Sequence, residues 1–205
     1  MTSLIPIIIL AAGQSSRMRG ADKLLQDVNG QPMLRHMTRM ACSATDGVIV
    51  VALPPQPHAR WGAIAHLDVM TVAVPDAAEG MNASLRRAIR ALPQGSKGAM
   101  ILLADLADLT EYDMKSVLQH ADNEQEYQIV RGASETGIPG HPVVFSRTLF
   151  PQLLALKGDA GARSVVSAHA DQVRLVPLPG QHATLDLDTP EDWAAWRAGH
   201  YNPSI

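Results

Sequence analysis

Short apolar runs alternate with helical patterns along the first 120 residues of this sequence, and this alternation restricts the possible folds most strongly. Continuous apolar or β-branched runs lie at Ile5 to Ala11, Gly47 to Leu53, Met70 to Val74 and Ala99 to Ala104. Strands that are apolar along their whole length are covered on both faces, as in parallel sheets. Helical spacing of apolar residues intervenes, as at Leu85, Ala88, Ile89 and Leu92. The alternation predicts a mostly parallel α/β sheet with right-handed crossovers.

The second half of the chain is less regular. Strand-like segments at Gln128 to Arg131, Pro142 to Phe145 and Val173 to Leu178 accompany helices near Phe150 to Leu156 and Gly161 to His169. A final helix is predicted to begin at Pro190, with Thr189 as its cap. Because no internal repeat or linker interrupts the pattern, we expect residues 1–205 to form a single domain.

Composition excludes several classes of protein. The formal net charge is −3 with no block of Lys and Arg, which argues against nucleic acid as a partner. The first apolar run ends at Ala12 and is too short to cross a bilayer, so we expect a cytoplasmic protein without a membrane partner. Cys42 is the sole cysteine, which rules out an intramolecular disulfide, and we expect it to be buried as a small hydrophobic residue.

The loop after the first strand is a candidate phosphate site. Small residues at Ala11, Ala12 and Gly13 let the backbone approach a ligand, and a turn there can aim N–H groups at an anion. Arg17 and Lys23 add positive charge, and Ser15 adds a hydroxyl donor. Neither a P-loop nor a dinucleotide motif is present. The residues alone favour a phosphate site and an ordinary polar surface loop about equally.

Acidic residues lie at two further places. Asp105 follows the fourth apolar run, where it would point into the ligand crevice of an α/β sheet, and Asp186 and Asp188 form a second group. Carboxylate and phosphate oxygens are the ligands that Mg²⁺ prefers. The alternative roles are a turn cap for Asp105 and helix N-terminal capping for the other two.

Two turns complete the set of candidates. Gly80 permits close backbone approach, while Asn82 and Ser84 could bind a base or cap the following helix. Gly140 and His141 lie in a Pro-Gly-His-Pro turn that presents the imidazole. Taken alone, a single histidine of this kind is more often a structural hydrogen-bonding residue than a ligand-binding one.

Five of these segments, in this order, resemble the MobA-like NTP transferases, and most closely their molybdenum cofactor cytidylyltransferase branch. In chain order, the matching segments are Leu10-Ala-Ala-Gly-x-Ser-x-Arg-Met with Lys23, Glu79-Gly-Met-x-x-Ser-Leu, Leu103-Ala-Asp105, Pro139-Gly-His-Pro and Asp186-x-Asp-Thr-Pro-Glu-Asp. The chain departs from the family pattern at Arg19, which interrupts the usual Arg-Met-Gly, and at Ala107, which replaces a Pro.

The resemblance implies a fold and a set of site residues. The fold is a three-layer α/β/α sandwich, Rossmann-like and similar to nucleotide-diphospho-sugar (GT-A-like) transferases. Arg17, Lys23 and Asp105 are the implied catalytic residues, with Asp105 and one of Asp186 and Asp188 as Mg²⁺ ligands. The implied nucleotide-binding residues are Leu10, Ala11, Ala12, Gly13, Ser15, Arg17, Lys23, Gly80, Asn82 and Ser84. Gly140 and His141 are placed on the acceptor side, walled by an Asp159–Arg163 pair.

The implied reaction transfers CMP from CTP to the phosphate of molybdenum cofactor and releases pyrophosphate. The cofactor is Mg²⁺, and a molybdoenzyme that receives the product is a further implied partner. Two alternatives stay open. One is another NTP with a sugar- or alcohol-phosphate acceptor, and the other is a non-catalytic protein that binds and delivers molybdenum cofactor.

Overall fold

The computed structural model describes residues 2–200, which form a seven-stranded sheet with helices on both faces. The strands are β1 (Ile7–Leu10), β2 (Asp27–Val28), β3 (Gln31–Pro32), β4 (Ile49–Leu53), β5 (Met70–Ala73), β6 (Gly98–Leu103), β7 (Ile129–Ala133), β8 (Pro139–Ser146) and β9 (Val173–Pro177). The α-helices are α1 (Met33–Ala44), α2 (Ala59–Ala63), α3 (Met81–Arg90), α4 (Glu111–Asn123), α5 (Phe150–Ala155), α6 (Arg163–Ala168) and α7 (Pro190–His200).

The sheet has the order β5-β4-β1-β6-β8-β7-β9, while β2 and β3 pair in a separate two-stranded ribbon. Neighbours β5, β4, β1 and β6 are parallel, and β7 pairs in parallel with β9. Only β8 runs antiparallel to both of its neighbours in this sheet. The predicted mostly parallel α/β sheet is therefore confirmed.

Two hydrophobic cores lie on opposite faces of the sheet, as the alternation of side chains along a strand requires. Ile7 and Ile9 pack toward α1, α4 and α7, whereas Ile8 packs toward α3, α5 and α6. All three isoleucines are fully buried, which explains why β1 is apolar at every position. The predicted three-layer α/β/α arrangement is confirmed.

The helix termini follow the expected capping chemistry at α7. Thr189 Oγ1 accepts a hydrogen bond from the Asp192 N–H at 3.1 Å, so the predicted cap is formed. The expectation for Cys42 was wrong, because it is exposed. The buried face of α1 passes through Ala41 and Ala44, which turns Cys42 outward. Within residues 2–200, no helix combines the length and the apolar character needed to cross a membrane.

Candidate active site

The loop between β1 and β2 forms one wall of a cleft at the carboxyl ends of the parallel strands. The Ala11 N–H still donates to the Ala52 carbonyl at 2.9 Å, after which the loop leaves the sheet. Ser15 and Arg19 adopt left-handed backbone conformations, and Gly20 follows at φ 95°. The inserted Arg19 is thus accommodated in the turn, where it forms a 2.7 Å ion pair with Glu191. Within residues 2–200, no group accepts a hydrogen bond from the backbone N–H groups of residues 12 to 16.

Arg60 of α2 holds this loop from beneath and is fully buried. Its Nη1 donates to the Ala11 and Gly13 carbonyls, both at 2.7 Å, and its Nη2 donates to Ser15 Oγ at 2.9 Å. The guanidinium also donates twice to Asp22, from Nε and Nη2, each at 2.7 Å. All five guanidinium N–H donors are therefore used. Because the loop carbonyls turn toward Arg60, the neighbouring amides stay available to a ligand on the other side.

Lys23 lies between two carboxylates that the sequence assigned to a metal. Its Nζ contacts Asp105 Oδ2 and lies 2.6 Å from Asp188 Oδ1, while Arg17 contacts Asp188 Oδ2 at 2.6 Å. Burial works against the Lys23 charge, but the two carboxylates outweigh it and raise its pKa. Asp105 Oδ1 is buried without a hydrogen-bond partner in the described part of the chain.

The pKa values of Asp186 and Asp188 shift in opposite directions. Burial, together with the neighbouring Asp188 carboxylate, raises the pKa of Asp186. Burial also opposes ionisation of Asp188, but Lys23 and Arg17 hold its pKa below the usual value. Across residues 2–200, no three acidic, histidine or cysteine side chains are arranged as a metal site. The Lys23 ammonium lies between Asp105 and Asp188.

The start of α3 forms the opposite wall. Gly80 has φ 107°, and a Cβ there would lie 2.7 Å from the Asp159 Cβ, so close approach explains this glycine. Asp159 Oδ1 caps the helix by accepting the Met81 N–H at 2.7 Å. The expected Asp159–Arg163 pair is not formed within residues 2–200, because Asp159 serves this cap instead. Arg163 faces the cleft.

Asn82 does not reach the cleft, contrary to the expectation that it contacts a nucleotide. It is buried beneath the helix terminus, where its Nδ2 donates to the Lys157 carbonyl at 2.9 Å. In the first turn of α3, Ser84 and Met81 line the cleft instead. Asn82 therefore ties α3 to the loop before α6.

The cleft has two compartments. The first, of about 550 Å³, is lined by the β1 loop, the α3 start and the acidic residues. The second, of about 800 Å³, extends along the sheet face of β6, β8 and β7. Their shared boundary contains Leu10, Met81, Leu103, Asp159, Arg163 and Asp186. Of the expected site residues, Leu10, Ala12, Gly13, Ser15, Arg17, Lys23, Gly80, Ser84, Asp105, Asp186 and Asp188 line the first compartment, whereas Gly140 and His141 line the second.

The turn around Gly140 is fixed by backbone packing. A Cβ at Gly140 would lie 1.9 Å from the Ala183 carbonyl oxygen, and the His141 N–H donates to the same carbonyl at 2.8 Å. His141 Nδ1 lies 3.4 Å from the Ile101 carbonyl oxygen. Burial lowers the pKa of His141 to about 4, so its imidazole is neutral at physiological pH. Arg131 of β7 also lines this compartment.

Sequence reasoning missed Arg60 and Arg131. Arg60 lies in a helix of five residues, and nothing in its local pattern distinguishes it from a surface arginine. Arg131 carried a signal, because it is the one charged residue in the strand sequence Ile-Val-Arg-Gly-Ala, whose other residues are buried. A charge within such a strand needs a partner or a ligand.

Comparison with known proteins agrees with this geometry. A family model described as the MobA-like NTP transferase domain matches residues 7–173. The purine catabolism protein PucB of Bacillus subtilis (strain 168) is 29% identical over 195 residues, covering 91% of this chain and 92% of that protein. A probable molybdenum cofactor guanylyltransferase of Nostoc sp. (strain PCC 7120) is 28% identical over 196 residues, covering 91% of this chain and 87% of that protein.

A solved structure is also similar over nearly its full length. The manganese complex of Rv0371C from Mycobacterium tuberculosis H37Rv is 26% identical, with a TM-score of 0.77, and the match covers 94% of this chain and 97% of that one. The family match, the fold and the cleft lead to one conclusion: this chain belongs to the MobA-like NTP transferase family and is a nucleotidyltransferase.

Proposed function

We propose that this protein transfers CMP from CTP to the phosphate of molybdenum cofactor, with Mg²⁺ as cofactor and release of pyrophosphate. The observation that carries the proposal is the two-compartment cleft, in which Asp186 lies at the junction of the compartments and Asp105 and Asp188 line the first compartment beside it. One compartment has free amides and cations suited to a triphosphate. The other is larger and more apolar, and suits an acceptor with a ring system. The product would pass to a molybdoenzyme.

The acidic residues fit a divalent cation. Asp105 and Asp188 present hard oxygen ligands, and the buried Asp105 Oδ1 has no partner within residues 2–200. The Lys23 ammonium lies between these two carboxylates, so the position already attracts a cation. The relative of known structure in complex with manganese supports the same assignment. Asp105 and Asp188 would hold Mg²⁺, which would neutralise charge on the reacting phosphates.

The loop would hold the triphosphate. Residues 12 to 16 line the first compartment, and their N–H groups have no acceptor within residues 2–200, so they would be free to donate to an anion. Arg17 and Lys23 add positive charge beside them. In this assignment Lys23 leaves the carboxylates when the nucleotide and metal bind, and it then contacts the phosphates. These groups stabilise the negative charge of the departing pyrophosphate.

The transfer itself needs no general base. An acceptor phosphate has a second pKa of about 6, so it is already a nucleophile near neutral pH. Its oxygen forms a bond to the α-phosphorus of CTP while the bond from that phosphorus to the β-phosphate bridging oxygen breaks. Two like unit charges roughly 4 Å apart repel by about 4 kcal/mol at an effective dielectric near 20. The anionic acceptor can therefore approach the anionic triphosphate only when nearby positive charges compensate this repulsion. Positioning and compensation are what the residues of the cleft provide.

The choice of nucleotide has two candidates. The entry Leu10-Ala-Ala-Gly resembles the CTP-using branch more than the GTP-using branch, which tends to carry a further Gly. The relative named a molybdenum cofactor guanylyltransferase favours GTP as the second candidate. Two alternatives are transfer to another acceptor phosphate and a non-catalytic role in carrying the cofactor. Nucleotide titration and pyrophosphate release distinguish both of them from this proposal.

Calorimetric titration with CTP, GTP, ATP and UTP, each with and without Mg²⁺, tests the proposal. We expect CTP to bind in a Mg²⁺-dependent manner, and Asp105→Asn to abolish that dependence. Arg90→Met, at an exposed position on α3, serves as a control that should bind as the wild type does. Preference for another NTP would contradict the CTP assignment alone. Absence of binding to all four nucleotides would contradict the proposed activity.

A further inference from the structure

The Arg131 guanidinium lies in the second compartment without a carboxylate partner. Its Nε and Nη2 donate to the Gly140 carbonyl at 3.1 and 2.9 Å, and burial lowers its pKa with no neighbouring acid to oppose the effect. The remaining guanidinium donors, including both on Nη1, have no acceptor among residues 2–200. A partly buried charge of this kind is costly unless a ligand or water completes its hydrogen bonding.

His141 provides the opposite polarity beside it. The Ile101 carbonyl can only accept, so the His141 nitrogen facing it, Nδ1, carries the hydrogen. The neutral ring then has a lone pair on Nε2, which has no partner in the described part of the chain. This nitrogen accepts a hydrogen bond and cannot donate one. His141 is therefore poorly suited to a phosphate, which also only accepts when it is fully ionised.

The second compartment brings these two side chains together, since both of them line it. The Arg131 guanidinium donates to the carbonyl of Gly140, the residue before His141, at the point where the β7–β8 register shifts. Strands are spaced by about 4.8 Å, which places Arg131 roughly 10 Å from β6, the strand that leads to Asp105. Arg131 is consequently set apart from the phosphoryl-transfer centre, whereas His141, on the strand between, contacts β6 at the Ile101 carbonyl.

Apolar side chains surround the pair. Leu85 of α3 and Val166 of α6 line one side of the compartment, and Ile101, Val143 and Phe145 line the sheet side. A flat ring fits between two apolar walls, and its polar edge must then meet donors and acceptors in matching order. The donor on Arg131 and the acceptor on His141 match a ring carbonyl next to a ring N–H.

We propose that Arg131 and His141 form a subsite for the lactam edge of a heterocyclic acceptor, in which Arg131 donates to the ring carbonyl and His141 Nε2 accepts from the adjacent ring N–H. This inference rests on the proposed function only in assigning the second compartment to the acceptor. It assigns the acceptor ring to β7 and β8, and it assigns the acceptor phosphate to the acidic junction.

Two pteridines test the subsite directly, because pterin carries the lactam edge and 2,4-diaminopteridine replaces its carbonyl with an amine. Their intrinsic fluorescence reports binding to the full chain. We expect the wild-type protein to prefer pterin by about tenfold, the effect of one hydrogen bond to a charged group. Arg131→Met should reduce that preference to about twofold or less, and His141→Phe should weaken pterin binding as well. Arg90→Met should retain the wild-type preference.

Equal affinity for the two rings in the wild type, a full preference retained in Arg131→Met, or no pterin binding at millimolar concentration would each overturn the subsite. CTP titration of the same samples separates this failure from that of the proposed function. If CTP binds but the ring preference is absent, only the subsite is wrong. If the ring preference is present but no nucleotide binds, the subsite stands and the proposed transfer fails. A variant that no longer folds is identified by circular dichroism, and the wild-type comparison then decides the question.

Discussion

Replacing Arg60 by Met is the most informative single perturbation of the nucleotide loop. The arginine side chain is 2% exposed and its partner Asp22 is 18% exposed, so the pair is largely shielded from solvent. Removing one member of a buried pair typically costs about 3–5 kcal/mol, because the remaining charge is left uncompensated. Met preserves much of the side-chain volume, so the loss comes from the five hydrogen bonds and not from a cavity.

Equilibrium urea denaturation at pH 7 measures this loss. We expect Arg60→Met to lower the free energy of unfolding by about 3–5 kcal/mol at an unchanged m-value. Arg35→Met is a matched control, since Arg35 donates to the Ala63 and Ala65 carbonyls without an acidic partner. Its loss should be about 1 kcal/mol.

The double variant Arg60→Met/Asp22→Asn isolates the charge–charge contribution. Removing the orphaned carboxylate charge should recover about 1–3 kcal/mol, as expected for residues in one hydrogen-bond network. Arg60→Met should also bind NTP more weakly, because the Ala11 and Gly13 carbonyls are no longer held away from the ligand. An unfolding free energy for Arg60→Met within about 1 kcal/mol of the wild-type value would show that Arg60 does not stabilise the loop in this way.

Three further predictions follow from the cleft. Asp105→Asn should reduce turnover by about 100-fold or more while circular dichroism stays unchanged, and near-wild-type pyrophosphate release would contradict its role. Gly140→Ala should destabilise the fold by about 1–3 kcal/mol, because its Cβ would meet a carbonyl oxygen at 1.9 Å. Gly62→Ala is the control, since a Cβ there would meet nothing within 4 Å. Equal melting temperatures for the two variants would contradict this prediction. Burial opposes ionisation of Asp22, but its arginine partner outweighs this effect and lowers the Asp22 pKa below 3.8. The extra stability of the wild type over Asp22→Asn should therefore be present above pH 4 and disappear as pH falls through the lowered pKa. A stability difference that does not depend on pH would contradict this prediction.

The fold was predictable because burial dictates the sequence of each sheet strand. Strands β1, β4 and β6 are covered on both faces and are apolar at nearly every position, which identified them and their order of alternation with helices. Since ligands gather at the carboxyl ends of such strands, the β1 loop and Asp105 could be placed in one cleft from sequence.

The remaining contacts depend on tertiary structure that local patterns do not encode. Arg60 reaches a loop nearly fifty residues earlier, and only the packing of α2 brings it there. The sequence predicts a ligand contact for the Asn82 amide and an ion pair for the Asp159 carboxylate. In the structure Asn82 donates to the Lys157 carbonyl in the loop before α6, and Asp159 accepts from the Met81 N–H at the start of α3. Unpaired backbone groups at a helix terminus compete with ligands for nearby polar side chains, and at the start of α3 the Met81 N–H takes the Asp159 carboxylate.

The decisive measurement of the proposed cytidylyl transfer is pyrophosphate release with each of the four NTPs, Mg²⁺ and molybdenum cofactor as acceptor. We expect release that requires CTP, acceptor and Mg²⁺ together and that is lost in Asp105→Asn. Release with GTP alone among the nucleotides would contradict the cytidylyl assignment and leave the transfer reaction standing. No release with any nucleotide, from protein that binds the acceptor, would contradict the proposed transferase activity and favour a carrier of the cofactor.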